Sequence, residues 1–272
     1  MMKNITLIAA CFFLSIPWIR ATDLPFRDGE ELTFDIHYKY GFVMLKAGTA
    51  EYFINDGSYN NKSAWNTTLN FKTTAFFDKI FKIRDSMYSQ VNVNLEPLYH
   101  WREVNEGHTY FREEIVFNKY GKAYSEVHVK QENRERVKLD TILTANNPGY
   151  DLLNILMFAR SLDYPRLKHG ESFNLSTFIG KSKVNIIVHF EGQTVINKSE
   201  TLKYNAYKLT LDITDEVFSG SKNAMEVWIS NDKNHIPLKL KAKLKIGAAE
   251  AELTSYKNLK YPLSSEIKIP AN

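Results

Sequence analysis

Apolar and polar residues alternate along most of this chain, most cleanly at residues 31–40. There Leu32, Phe34, Ile36, Tyr38 and Tyr40 fall on one side, and Glu31, Thr33, Asp35, His37 and Lys39 on the other. A period of two gives a strand with one apolar and one wet face, the habit of an antiparallel sheet. Gly41 allows a bend, and the pattern resumes at 42–45 and 49–54 around Lys46-Ala47-Gly48, where a bulge is expected. Further strands are predicted at 64–76, 80–92, 99–104, 110–118 and 123–129, with turn signals at Glu96-Pro97, Glu106-Gly107 and Tyr120-Gly121. The charged stretch 131–138 reads as a solvated hairpin or loop. Strands resume at 172–179, 184–190, 204–213, 224–230, 238–246 and 249–255.

One stretch breaks the period. Between Gly149 and Asp163, Leu152, Ile155, Leu156, Ala159 and Leu162 recur at the spacing of one helical face, and Leu153, Met157 and Phe158 widen it. Asn147 or Asp151 can cap the start, and Pro165 bars continuation. So apolar a short helix must be covered, and strands flank it with no linker, repeat or low-complexity tract between. The expected fold is mainly β: one curved antiparallel sheet or barrel-like domain of roughly a dozen strands with one central buried helix. Leu152, Ile155, Leu156 and Leu162 are expected in a core shared by the two β halves.

Composition sets the compartment. The chain has 272 residues, 44% hydrophobic and 13% aromatic, ample for a folded core. Met1-Met2-Lys3-Asn4, an apolar run to Ile16 and Pro17 form a signal-peptide pattern, so residues 1–21 are expected to be removed and 22–272 to form a single β-rich exported domain, periplasmic or extracellular. The run is too short for a membrane span. Cys11, the sole cysteine, sits inside it. Ile8-Ala9-Ala10-Cys11 resembles a lipoprotein box, but Phe-Phe-Leu-Ser-Ile-Pro-Trp follows instead of a polar tether, and the reading favoured is a cysteine within a leader. The mature chain then offers no disulfide or thiolate. Its formal charge of +4 drops to +2 without Lys3 and Arg20, which gives no footprint for nucleic acid.

Candidate chemistry begins with acids at apolar parity. Asp85 shares a face with Phe81, Ile83, Met87 and Val91, and Glu113 with Phe111, Ile115 and Phe117. An inward carboxylate needs a partner. A pair of them can act as acid and base in a hydrolase or lyase; the commoner use is a structural lock to an arginine or tyrosine. Arg160 is the one charge amid the helix's apolar residues, suited to tying the helix to an inward acid or to its own C-terminal end. Lys239, Lys241, Lys243 and Lys245 alternate with apolar residues. That stripe suits an anionic lipid or polysaccharide, or is simply a solvated face that discourages edge pairing. Phe77, Phe81 and neighbouring aromatics can line a ligand pocket or belong to ordinary core. The seven histidines are dispersed, and no metal spacing, nucleophile elbow or phosphate loop is present, so no metal, cofactor or catalytic set is assigned.

Several stretches together resemble an exported bacterial family known as domain of unknown function 3108. They are Gly29-Glu-Glu-Leu-Thr-Phe-Asp35 with Lys46-Ala-Gly-Thr49, Arg84-Asp85-Ser86, Asp151-Leu-Leu before Arg160-Ser-Leu, Val227-Trp-Ile-Ser-Asn-Asp-Lys-Asn-His-Ile-Pro237, and Ile246-Gly247. Asp85, Trp228, Asp232 and Pro237 match the family's recurring positions. The resemblance implies export in a Bacteroidetes-like bacterium and carries no reaction. The favoured expectation is a non-enzymatic envelope protein that holds a lipid-like or hydrophobic molecule, or an envelope protein partner, at Asp85, Glu113, Arg160, Trp228, Phe77 and Phe81.

Overall fold

The computed structural model describes residues 24–119, 125–213 and 223–270; the leader with Cys11 and the Tyr120-Gly121 turn lie outside the described residues. The strands and helices in chain order are β1 (Glu30–Tyr40), β2 (Val43–Tyr59), β3 (Lys62–Thr73), α1 (Ala75–Asp78), β4 (Arg84–Asn92), β5 (Pro97–Glu106), β6 (Thr109–Lys119), β7 (Ser125–Glu132), β8 (Val137–Ala145), β9 (Gly149–Tyr150), α2 (Leu152–Arg160), β10 (Ser172–Ile179), β11 (Ser182–Asn197), β12 (Leu202–Ile213), β13 (Met225–Ser230), β14 (Pro237–Lys243), β15 (Ala248–Lys257) and β16 (Glu266–Lys268). Fifteen of the strands follow one path, β8-β7-β6-β5-β4-β3-β2-β1-β15-β14-β13-β12-β11-β10-β9, with β16 added to β12. All pairings are antiparallel except β9 with β10. The mainly β, barrel-like architecture is as expected, with more strands than the dozen predicted.

The sheet almost closes. Its two ends meet through side chains: Phe178 of β10 packs among Ile115, Phe117, Val127 and Val129 of β6 and β7, and the Gly180 N–H donates to Glu113 Oε2 at 2.7 Å. The expected bulge at Lys46-Ala47-Gly48 is where the β1–β2 register shifts, between Ile36 and His37. Gly48 is required there, because a Cβ would stand 2.4 Å from the Lys72 carbonyl oxygen and 2.6 Å from the Phe71 ring.

Three local expectations are corrected. Residues 74–82 leave the sheet: Thr74 caps α1 by accepting from the Phe77 N–H, and the expected strand from 80 begins only at the Ile83 bridge to Glu106. The charged stretch 131–138 is the solvated hairpin expected, but the strand that follows it, β8, an exposed edge strand, was missed. Finally, α2 is shorter than predicted and rotated. Its most buried residues are Leu153, Asn154, Met157, Ala159 and Arg160; of the expected core residues Leu162 is buried, Ile155 and Leu156 pack half-buried against the cores, and Leu152 is half-buried. An apolar stripe cannot reveal a helix that turns an asparagine and an arginine inward.

Helix α2 joins two cores. Leu153 and Met157 pack with Leu32, Phe34, Tyr52, Ile54 and Val91, while Ala159 packs with residues of β10–β13 such as Leu175, Val188, Leu209 and Ile229. Burying one such side chain is worth about 1.5–3 kcal/mol, which is why the helix sits inside the curve of the sheet rather than on it.

Candidate ligand site

The inner wall of the barrel divides into a plugged part and an open part. The plugged part begins from one row of paired residues, in which Glu30 lies opposite Ile54, Ile54 opposite Thr67, Thr67 opposite Ser89, and Ser89 opposite His100. Parity points all of them inward, and α2 is fastened to this row at both ends. At its start Asp151 accepts from the Leu153 and Asn154 N–H groups at 2.9 and 2.8 Å and from the Ser89 hydroxyl at 2.6 Å. At its end Arg160 Nη1 donates to Glu30 Oε1 at 2.5 Å and Nη2 to Glu30 Oε2 at 3.1 Å. Nη2 also donates to the Asn234 carbonyl at 2.9 Å, and both Arg160 and Glu30 are wholly buried. The fit is dimensional: nine helical residues span about 14 Å, and the three strand spacings from Ser89 to Glu30 also span about 14 Å.

Polar groups without protein partners collect beside this helix. The Asn154 amide, the Thr67 and Tyr52 hydroxyls and His100 Nδ1 are all buried and make no hydrogen bond among the described residues. His100 Nδ1 stands 3.6 Å from Asp151 Oδ1, too far for a hydrogen bond. Burial pushes His100 below the usual histidine range, with the Asp151 carboxylate opposing. Burial likewise pushes the Tyr52 hydroxyl well up.

Beyond the helix the same wall stays apolar but loses its cover. Along β1, exposure climbs from 1% at Leu32 and 4% at Phe34 to 64% at Tyr40; past the bulge on β2, Leu45 and Val43 reach 45% and 57% opposite Tyr38 and Tyr40. Ile36, Leu69, Phe71, Met87 and Leu240 are half-buried. Small residues line the wall at this level. Ile36 is flanked by Gly48 on β2 and Ala251 on β15, Tyr38 by Ala249, and Ala249 by Ala242 of β14. Ala242, Ala249 and Ala251 are partly exposed at this level, whereas Gly48 is buried beneath the Phe71 ring.

A polar spot interrupts this wall. Asp85 is inward on β4, in the row of Phe71, and accepts from the Asn105 N–H at 2.8 Å. Its side chain hydrogen-bonds Glu106, which lies one row nearer the open end, across from Ile83. Burial raises the pKa of both acids, Asp85 raises Glu106 further, and Arg102 pulls each back. Both carboxyls therefore hold a proton more readily than an ordinary exposed acid. Glu113 does not converge on Asp85. It is buried against Arg102 Nε at 2.8 Å and the Gly180 N–H, and holds the two ends of the sheet together. Glu106 was missed in the sequence because it stands beside a glycine in a turn signal.

A family model for "Protein of unknown function (DUF3108)" matches residues 33–254. The chain belongs to the DUF3108 family. No curated protein matches it. Among solved structures it is similar to a β-barrel-like protein of domain of unknown function DUF1849 from Brucella abortus, with TM-score 0.55 and 9% identity over 86% of this chain and 99% of the other. A lipoprotein candidate from Parabacteroides distasonis aligns over the same shares, 86% and 99%, at 8% identity and TM-score 0.35. The Brucella likeness concerns the fold alone.

The remaining sites can be placed on this DUF3108 barrel. Trp228 faces outward on β13, in register with Lys208 and Lys239, with the Lys208 ammonium 5.3 Å from its ring. Asp232 organises the 231–234 turn, accepting from the Ser230 hydroxyl, the Asn234 N–H and the Ser265 N–H, and Pro237 starts β14. That turn, Arg160 and Tyr261 border a mixed polar and apolar cleft of about 520 Å³ at the C-terminal end of α2. In the lysine stripe, Lys239 is 2.8 Å from Glu250 and 2.7 Å from Glu252, and Lys241 is 3.7 Å from Glu250. Lys243 and Lys245 are exposed at the end of the hairpin without a carboxylate partner among the described residues. Phe77 is half-buried and Phe81 is 48% exposed; both belong to the α1 segment at the open end. The structure thus gathers Asp85, Phe77 and Phe81 towards one end and leaves Arg160, Glu113 and Trp228 in separate places. No described helix is long and apolar enough to cross a membrane.

Proposed function

We propose that this protein is an exported, non-enzymatic binder that holds the apolar part of a hydrophobic or amphipathic molecule against the open half of its inner wall. One observation carries the reading: the inward faces of β1–β3, β14 and β15 remain apolar and partly exposed after α2 has ended, with alanine at 242, 249 and 251. Ile36, Phe71, Met87 and Leu240 would contact the ligand's apolar body. The Asp85–Glu106 pair and Arg102 would meet a polar group on it. Glu113 and Arg160 support the wall from behind through their buried pairs, and neither needs to touch the ligand.

Two measurements test the proposal. Native mass spectrometry of the protein purified from its own host should show a co-purifying small molecule. Ala251→Trp should then exclude that molecule, and should also suppress binding of a fluorescent apolar dye. Overpacking a filled core costs about 1–3 kcal/mol. A tryptophan entering open space should cost less. A ligand-free mass, together with the full overpacking penalty in Ala251→Trp, overturns the reading in favour of a filled scaffold.

A further inference from the structure

Three segments meet at the open end of the barrel. The β1–β2 tip is fixed against the α1 segment by the Thr74 N–H donating to the Ala47 carbonyl at 2.9 Å. The β14–β15 turn is fixed against β1 by the Tyr38 hydroxyl donating to the Ile246 carbonyl at 3.0 Å. Gly247, at φ +75°, lets that turn close, since a Cβ there would stand 2.3 Å from the Lys39 carbonyl oxygen. These three segments, residues 39–46, 74–84 and 243–247, hold nine of the fourteen large hydrophobic residues that are exposed among the described residues. Phe42 is fully exposed, and Phe76, Ile80 and Ile246 are each at least 60% exposed. They sit on separate tips rather than in one groove, a shape that a flat protein partner does not fill.

Charge decides what covers them. The same segments contain seven basic side chains, Lys39, Lys46, Lys79, Lys82, Arg84, Lys243 and Lys245, against one acid, Asp78. Their net +6 exceeds the formal +4 of the whole chain, which leaves −2 on everything else. Arg84 neutralises Asp78 at 2.6 Å, and Lys46 is paired with Asp35 at 2.6 Å. Among the described residues the other five cations form no ion pair. Exposed apolar tips ringed by unpaired lysines match the interface of an anionic bilayer, which takes up apolar side chains beneath a layer of negative headgroups. We infer that this end of the barrel docks onto an anionic lipid surface, with Phe42, Ile80 and Ile246 inserted and Lys39, Lys79, Lys82, Lys243 and Lys245 against the headgroups. The inference is independent of whether the interior holds a ligand.

Sedimentation of the purified protein with vesicles tests it. Binding is expected to phosphatidylcholine vesicles containing phosphatidylglycerol, to be at least about tenfold weaker without the anionic lipid, and to decline as salt rises. The double variant Phe42→Ser/Ile80→Ser should weaken binding at least about tenfold while its thermal melt is unchanged, because neither side chain supports the core. Val195→Ser/Ile142→Ser, which removes exposed apolar residues elsewhere, should bind as the parent does. Lys79→Glu/Lys245→Glu should abolish the preference for anionic lipid. Failure of the parent to sediment, or equal binding by the Phe42/Ile80 and Val195/Ile142 variants, overturns the inference. So does a lipid-free dimer in size-exclusion chromatography that Phe42→Ser/Ile80→Ser dissolves, because the tips would then bind a second copy.

Discussion

The two ends of the inner wall are made from the same strands and obey opposite rules. At the helix end, polar residues are buried and crossed by α2; Glu30 with Arg160 and Ser89 with Asp151 are paired there, all at or near zero exposure. At the open end, apolar residues are exposed and five of the seven cations around them have no ion pair among the described residues. A chain that needed only a stable fold would place its charges outside at both ends. The lesson is that stability was concentrated where the helix sits, which frees the other end to keep a surface that folding alone would not favour.

The sharpest way to break this contrast is at the clamp. Arg160→Met leaves Glu30 as an unpaired buried carboxylate and should cost about 3–5 kcal/mol in chemical denaturation. Replacing both, Glu30→Leu with Arg160→Met, should recover most of that loss, because the desolvation cost disappears with the charges. Asp151→Ala removes the cap and the acceptor for Ser89, and should cost about 2 kcal/mol. If either single change is as mild as a surface substitution, the helix end is not the seat of stability.

Acidity separates the ends by sign. His100 has a depressed folded pKa, so the unfolded chain binds its proton first; the stability it contributes is present above about pH 6.5 and is lost as pH falls below that value. Asp85 and Glu106 have raised folded pKa values, so the folded chain holds the extra proton more tightly. Their contribution grows as pH falls towards the ordinary carboxylate range and is lost as pH rises through the raised values. Denaturation across about pH 4–8 should show His100→Gln flattening the first response and Asp85→Asn the second. The smallest effect is expected at the rim, where Phe42→Ser and Ile246→Ser should each change stability by no more than about 0.5 kcal/mol.

Most of the architecture was written in the alternation of β1 and its successors, and in the cap, Asp151, and stop, Pro165, of the helix. The bulge at Ala47 was legible too, since a glycine beside an alanine interrupts the period there. What the alternation hid were residues whose polarity disagrees with their parity. Glu30 stands two before Leu32 and four before Phe34 on the inward face, so its partner for Arg160 was available in the pattern, yet a glutamate beside a second glutamate reads as the solvated start of a strand. Asn154 was lost within an apolar run for the converse reason. The open end was harder still. Alanine and glycine at 48, 249 and 251 are compatible with packed or empty space, and only the register of β1, β2 and β15 shows that they stand side by side.

The two-ended clamp also bears on how the chain finds its fold. A slip of one residue in any of β1–β4 turns that strand's inward set to the outside. The row from Glu30 to Ser89 would then be broken, and α2 would have no acceptor for one end or no donor for the other. Because Arg160 and Glu30 are 130 positions apart and Asp151 and Ser89 are 62 apart, both contacts close long loops, which carries an entropic cost. The helix is therefore a register gauge: it seats only in a sheet whose first four strands are already correctly aligned.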